Sequence, residues 1–438
     1  MSELILGNKE ASKEPIKALL VSAFKGGAAQ RPLAEEHLNE LEELGRTYGL
    51  QVIHKVLCPI RKYEAATFIT EGKLQELVAE AQLKKAELVV FDDEISPSQQ
   101  RNLEQAFGIP VIDRTELILG VFAQRAQTKE ARLQIELAQL KYQAPRLKRL
   151  WTHLSRQAGT AGGGSGGGGY LKGEGEKQIE IDKRILKRKI DQVQQEIQAV
   201  SANRNVQRTA RERSDIPVFS IVGYTNAGKS TLLNALTNAK VLVEDKLFAT
   251  LDTTTRKFTL PNNQEILLID TVGFIRKLPH LLVAAFRSTL EEAVQADILL
   301  HVVDASHPMA EAQAETTFEV LKELGAEGKP VLTLLNKADK SESENTIRKL
   351  KIKYPKTIAL SALQKQGFDD LLELMIQELS KQRRSMTVRI PQKEYAIVSE
   401  LLRMGNILSR DYEENDVILK VDLPVALAEK LKKYEVKL

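Results

Sequence analysis

Gly223-Tyr224-Thr225-Asn226-Ala227-Gly228-Lys229-Ser230 sets two glycines, a lysine and a hydroxyl at the spacing GxxxxGK[ST]. The stretch follows the apolar run "PVFSIV" and precedes "TLLNALT", which predicts strand, tight loop and helix. Backbone N–H groups at such a helix start cradle phosphate oxygens, and the Lys229 ammonium reaches the terminal phosphates. Ser230 offers its hydroxyl to Mg²⁺. Further on, "EILLIDTVGF" ends an apolar strand on Asp270, whose carboxylate suits the Mg²⁺ shell. Asp270, Thr271, Val272 and Gly273 spell DxxG, and the Gly273 N–H is placed to sense a γ-phosphate.

The next pieces name the base. "LLNKAD" supplies Asn336, Lys337, Ala338 and Asp339 after another apolar strand. Guanine carries N1–H and an exocyclic amine that one carboxylate accepts together, and adenine has no such pair, so Asp339 points to guanine. "ALSAL" sets Ser361 and Ala362 where a backbone N–H would meet guanine O6. Between the phosphate loop and Asp270 lies "LFATLDTTTRKF", a first switch segment with Phe248, Ala249, Thr250, Leu251 and Asp252. Thr250 is the first choice for the second Mg²⁺ hydroxyl, with Thr254 and Thr255 as alternatives. Lys229, Thr250 and Gly273 are therefore the expected catalytic contacts. Phe274 follows DTVG where many such enzymes carry a water-positioning glutamine, which implies slow hydrolysis without a partner. Asn226 sits as in some potassium-stimulated GTPases and marks a K⁺ site.

Four regions must position these groups. Residues 1–126 alternate apolar runs ("IKALLVSA", "QVIHKV", "ELVVFD", "PVID") with amphipathic stretches, the rhythm of a parallel α/β domain. Its connection "FDDEISPSQQ" reads either as the lining of a ligand crevice or as plain helix caps. Residues 127–213 carry two heptad seams, Leu133, Leu137, Leu140, Ala144, Leu147, Trp151 and Leu154, then Ile179, Leu186, Ile190, Val193, Ile197 and Val200. Pro145 interrupts the first seam. Matched seams predict an antiparallel helical hairpin whose far end is a Gly-rich loop over 159–177. Residues 214–380 form the nucleotide-binding α/β domain, and 386–438 a small βαββα domain. The fold class is thus α/β: a parallel N-terminal domain with a long hairpin, a P-loop domain and a small C-terminal α+β domain.

Charge is unevenly spread. Net charge is +4, yet Lys141–Arg213 alone holds sixteen Lys/Arg against seven Asp/Glu. This is the footprint of a polyanion site, or the solvated face of long helices. "GGGSGGGG" reads either as a flexible spacer or as a projecting tip whose backbone approaches a partner closely. A hydrophobic content of 42% provides for several cores. The lone Cys58 excludes an internal disulfide framework. No apolar run nears the roughly 18 residues of a membrane span, and the N-terminus lacks a signal peptide's apolar core. A cytoplasmic location follows as the expectation. The histidines show no metal-binding spacing.

With hairpin and nucleotide motifs in hand, the chain resembles the HflX family of ribosome-associated GTPases over nearly its whole length. "VVFDDEISPSQQRNLEQ", "VIDRTELIL", "FAQRAQTKEARLQIELAQLKY", "LWTHLSRQ", "LFATLD" and "DASHP" are similar to family signatures, and "KGEGEKQIEIDKR" is similar to RGPGETQLETDRR. Thr253, Glu174 and Lys177 depart from the family's proline, proline and threonine. The resemblance implies a Mg²⁺-dependent GTPase that binds the large ribosomal subunit and its rRNA and splits stalled ribosomes. It implies that Gly159–Lys177 inserts near the peptidyl transferase centre, and that the N-terminal domain also binds ATP. A monomer is expected. The alternatives are a large-subunit assembly factor or a poorly hydrolysing RNA-binding GTP switch.

Overall fold

A computed structural model describes residues 15–146, 171–212, 216–237, 247–277, 292, 294–404, 406–413 and 415–436. The chain divides into two compact units. The first takes its described residues from 1–200, 242–252 and 272–289, and the second from 201–241, 253–271 and 290–438. Both segments expected to sense the γ-phosphate, those of Thr250 and Gly273, therefore belong to the first unit rather than to that of the phosphate loop.

In the first unit, strands β1 (Lys17–Lys25), β2 (Gln51–Ile60), β3 (Leu88–Phe91) and β4 (Val111–Asp113) form a sheet in the order β2-β1-β3-β4. All its pairs are parallel. Helices α1 (Arg31–Tyr48), α2 (Glu71–Leu83) and α3 (Pro97–Phe107) make the crossovers, as the alternating pattern predicts. The core gathers Leu19, Val21, Val89, Phe91, Leu103 and Val111, and Cys58 lies within it, fully buried. The "SPSQQ" half of the ambiguous connection is a capping box. Ser96 Oγ accepts from Gln99 N–H at 3.2 Å, and Gln99 Oε1 accepts from Ser96 N–H at 2.9 Å.

Helix α4 (Arg114–Arg125) has no amphipathic signature because nine of its twelve residues are buried. Helix α5 (Lys129–Gln143) starts on Thr128, whose hydroxyl caps Ala131 N–H at 3.2 Å. Its end coincides with the proline: a 3₁₀ turn covers Ala144–Arg146. The long helix α6 (Leu171–Glu212) carries the second seam. Leu133, Leu137, Leu140 and Val193 are buried together, with Leu186, Ile190, Ile197 and Val200 packed around them. Burial on this scale contributes about 2 kcal/mol per aliphatic side chain. Leu147, Trp151 and Leu154 lie outside the described residues, as does most of the expected tip loop. Its last seven residues, 171–177, are instead the first seven of α6. Leu171, Lys172, Glu174, Glu176 and Lys177 are good helix formers and outweigh Gly173 and Gly175.

A buried network ties α5 to the N-terminal sheet. Tyr142 Oη donates to Asp113 Oδ1 at 2.9 Å, and Arg146 donates to Ile95 O at 2.8 Å and Gln100 Oε1 at 3.0 Å. The Arg146 guanidinium also lies 3.7 Å from the Tyr142 ring centroid. Burial pushes the Asp113 carboxyl up, and the Arg146 charge opposes that shift.

The second unit holds a six-stranded sheet of β5 (Val218–Gly223), β6 (Thr254–Thr259), β7 (Glu265–Asp270), β8 (Ile298–Asp304), β9 (Val331–Asn336) and β10 (Thr357–Ala359). Their order is β10-β9-β8-β5-β7-β6, and only β6 runs antiparallel to its neighbour. Helices α7 (Lys229–Thr237), α8 (Ala310–Glu323), α9 (Glu344–Lys353) and α10 (Phe368–Gln382) accompany it. C-terminal to these, β11 (Arg383–Pro391), α11 (Tyr395–Met404), β12 (Asn406–Glu413), β13 (Asp416–Pro424) and α12 (Val425–Lys430) give the βαββα order. The three strands form an antiparallel sheet, β11-β13-β12, whose inward face carries Val388, Ile390, Val417, Leu419 and Val421.

Candidate nucleotide site

Gly223 closes β5, and the loop to α7 is shaped by residues that accept unusual backbone angles. Gly223 has φ +150°, and a Cβ there would lie 2.2 Å from Val302 O. Gly228 has φ +96°, and a Cβ there would lie 2.2 Å from Asn336 Nδ2. Only glycine fits either position. Asn226 is also left-handed, at φ 59°. Alternating left-handed residues turn successive N–H groups to one side, the arrangement that binds anions.

Lys229 is buried and donates to Tyr224 O at 2.7 Å, folding its side chain back over the loop. Burial pulls its pKa down to about 8, and Asp270 opposes this. Ser230 Oγ donates to Asp270 Oδ2 at 2.6 Å, so the hydroxyl and carboxylate expected at the metal are side by side. Both are hard oxygen donors and Asp270 is fully buried, which fits Mg²⁺. Bound there, Mg²⁺ would neutralise phosphate charge. Thr271 Oγ1 donates to Ile221 O at 2.7 Å and so pins the start of DxxG to β5. Among the described residues no group of three or more His, Cys, Asp or Glu could hold a metal.

The base-recognition pieces meet through Asn336. Its Nδ2 donates to Ala227 O at 2.8 Å, and its Oδ1 accepts from Ala362 N–H at 2.9 Å. Asn336 thus braces the phosphate loop against the "SAL" loop. Lys337 pairs with Asp304 at 2.6 Å, which gives "DASHP" a structural role. Asp339 is exposed, and Ala338 N–H anchors its loop to Leu360 O at 3.1 Å. Ser361 N–H is given to Gln366 O at 3.1 Å. A guanine O6 would therefore share or displace an N–H that Ser361 or Ala362 already donates. The sequence does not show this, because the partners are side-chain and loop atoms remote in the chain.

The switch residues lie in the first unit and are held there. Phe248 has φ 56° and meets Phe122 of α4 edge to face, with centroids 4.5 Å apart. Leu251 is buried, and Ala249 and Thr250 are half-buried. The Asp252 carboxylate accepts from Gln127 N–H at 3.1 Å, Thr128 N–H at 3.2 Å and Thr128 Oγ1 at 2.6 Å. It therefore caps the start of α5, where a negative charge is favoured. Val272, Gly273 and Phe274 are buried, Phe274 to 1% exposure. That position offers no polar group to a water molecule.

Three family models match the chain in series: a GTP-binding GTPase N-terminal region over residues 35–123, a GTP-binding GTPase middle region over 125–211, and a 50S ribosome-binding GTPase domain over 218–337. A protein of Chlamydia pneumoniae named GTPase HflX is 45% identical over 96% of this chain and 89% of its own length. The chain belongs to the HflX family of GTPases. The Akkermansia muciniphila member is 44% identical over 95% of this chain and 96% of its own, and the Escherichia coli member 40% over 91% and 92%. A GTP-binding protein of Sulfolobus solfataricus, solved with GDP, is 27% identical over 83% of this chain and 98% of its own, with a TM-score of 0.42. This HflX-family chain is accordingly a GTP hydrolase with a P-loop domain, and no described helix is long and apolar enough to cross a membrane.

Proposed function

We propose that this HflX-family GTPase engages the large ribosomal subunit through its hairpin and splits stalled ribosomes, acting as a cytoplasmic monomer. The observation that carries this reading is a basic strip on α6. Lys183, Arg184, Lys187 and Arg188 are all exposed, in two pairs one helical turn apart, on the arm that packs against α5. Such a strip tracks phosphates spaced along rRNA. The glycine tip, Gly159 onward, would reach the crowded peptidyl transferase centre, where side chains would not fit. Ser230 and Thr250 would hold Mg²⁺, K⁺ would sit at Asn226, and Lys229 and the Gly273 N–H would bind the γ-phosphate. Buried Phe274 makes hydrolysis slow until the ribosome orders the attacking water.

GTP turnover alone and with purified large subunits, in KCl and in NaCl, tests this. Stimulation of at least about tenfold by subunits is expected, lost on replacing the four basic residues by glutamate. Light scattering on assembled ribosomes then reads splitting. Stimulation by immature subunits without splitting would identify an assembly factor, and tight GTP binding with no turnover a silent RNA-binding switch. Equal rates in KCl and NaCl would remove the K⁺ site.

A further inference from the structure

The other half of "FDDEISPSQQ" holds a second set of charges. Asp92 follows β3 at its carboxyl end, and β3 lies beside β1, whose connection leads to β2 while that of β3 leads the opposite way to β4. In an open parallel sheet that crevice is the usual place for a ligand. Here it receives Arg276 and Lys277, the residues just past Phe274. Arg276 Nη2 donates to Asp92 Oδ2 at 2.8 Å and Oδ1 at 3.1 Å. Lys277 Nζ lies 3.4 Å from Asp92 Oδ2 and also donates to Asp93. Arg114 Nη1 donates to Asp92 at 3.0 Å, its Nη2 to Glu40 at 2.8 Å, and Arg276 Nε is 3.6 Å from Glu40.

Three carboxylates thus face three cations, and two of the cations come from the segment after DxxG. Asp92 is 1% exposed. Burial would raise its pKa, but Arg114, Arg276 and Lys277 outweigh burial and hold it below the ordinary carboxylate range. Burial and the Arg276 charge push nearby His37 down to about 4, so it adds no positive charge at neutral pH. With Arg276 and Lys277 withdrawn, the described residues would leave Arg114 as the cation hydrogen-bonded to Asp92 and Glu40. A buried carboxylate in that company is strongly unfavourable, so the crevice demands a cationic occupant.

We infer that Asp92 and Asp93 are positioning residues for the second switch: the carboxyl end of β3 is its docking site, with Arg276 and Lys277 as internal ligand. The first switch has its own anchor on the same unit, through Asp252 at α5 and Phe248 at Phe122. Helix α5 is in turn locked to the sheet by Arg146 and Tyr142. Both segments that distinguish GTP from GDP are therefore fastened to the body that carries the hairpin arm. Any shift of the switches on γ-phosphate binding acts on that body, and the hairpin's partner acts back on nucleotide preference by linkage. The docking stands on these contacts alone; only its extension to a ribosomal partner rests on the proposed function.

The test uses the full chain and the ratio of affinities for a non-hydrolysable GTP analogue and GDP. Lys277→Glu is expected to change that ratio at least about fivefold. The reversed pair, Asp93→Lys with Lys277→Glu, should return it to within about twofold of the parent. Asp93→Asn, a milder change less prone to misfolding, should move it in the same direction as Lys277→Glu by a smaller factor. An equal shift in the single and reversed variants would show that Lys277 acts directly on nucleotide, and an unchanged ratio in Lys277→Glu or Asp93→Asn would show that docking has no consequence. Either result overturns the inference. Repeating the ratio with large subunits separates the two readings: no effect of subunits on the parent protein sinks the ribosomal function, while the docking result stands.

Discussion

In the phosphate loop, a Cβ on Gly223 would lie 2.2 Å from Val302 O and one on Gly228 2.2 Å from Asn336 Nδ2, and the loop's shape follows from residues within it and the strands beside it. In the segments around Thr250 and Gly273, position is imposed from far away in the chain. Thr128 grips Asp252 across 124 residues, and Asp92 grips Arg276 across 184. The first region is a fixed receptor, braced by the neighbouring strands and, through Asn336, by the base-recognition loops. The second is a pair of straps whose geometry belongs to whatever they are tied to. A receptor that must bind GTP and GDP alike gains from rigidity, whereas elements that report the difference must have somewhere else to go.

The largest expected effect breaks the receptor and spares the straps. Gly228→Ala places a methyl 2.2 Å from Asn336 Nδ2 in a backbone region that alanine avoids. Asn336 would have to leave Ala227 O and Ala362 N–H together. GDP affinity should fall by more than about 100-fold, near 3 kcal/mol, while the contacts of Asp252 and Arg276 persist. Fluorescent-GDP titration checks the loss. Binding within about tenfold of the parent would mean the loop is not shaped by its glycines.

The same contrast explains what could be read from sequence. The glycines, Lys229 and Ser230 announce themselves by their spacing, and Asp270 by its place at the end of an apolar strand within DxxG. Strands β1, β3 and β4 are legible as continuous apolar runs, as parallel strands covered on both faces must be. Helix α4 is hidden because nine of its twelve residues are buried, Arg114, Thr115 and Glu116 among them, so polarity does not mark an exposed face. Asp252 reads as part of a nucleotide-binding segment, and its carboxylate is found capping α5, because an Asp two residues from a threonine carries no mark of its remote partner. Asp92 and Asp93 are ambiguous in sequence for the same reason: a sequence shows charge, and pairing is a property of the fold.

A second prediction titrates the receptor. In the nucleotide-free protein burial pulls the Lys229 pKa from 10.5 to about 8. Phosphate favours the charged ammonium, so the bound pKa is higher than the free one. Binding therefore takes up about half a proton at pH 8, and GDP affinity falls as pH rises, approaching about tenfold per unit above that. Stability of the nucleotide-free protein moves the other way. Between 8 and 10.5 the unfolded chain binds more protons at this lysine, so its contribution to stability rises with pH. Calorimetry in buffers of different ionisation heat measures the uptake, and the absence of uptake at pH 8 would contradict a buried, charge-disfavouring site.

The smallest expected effect loosens one strap alone. Phe122 lies in α4, fully packed, and holds Phe248 by an edge-to-face contact at 73°. Phe122→Leu keeps the site apolar and removes the aromatic geometry, a loss of about 1 kcal/mol. Phe122 makes none of the contacts that shape the phosphate loop, so GDP affinity should stay within about twofold of the parent. What should change is protection: amide hydrogen exchange over residues 247–252 should quicken by about fivefold, with no change over 218–230. If exchange rose equally in both stretches, receptor and strap would open together as one cooperative element, and the separation between them would have to be abandoned.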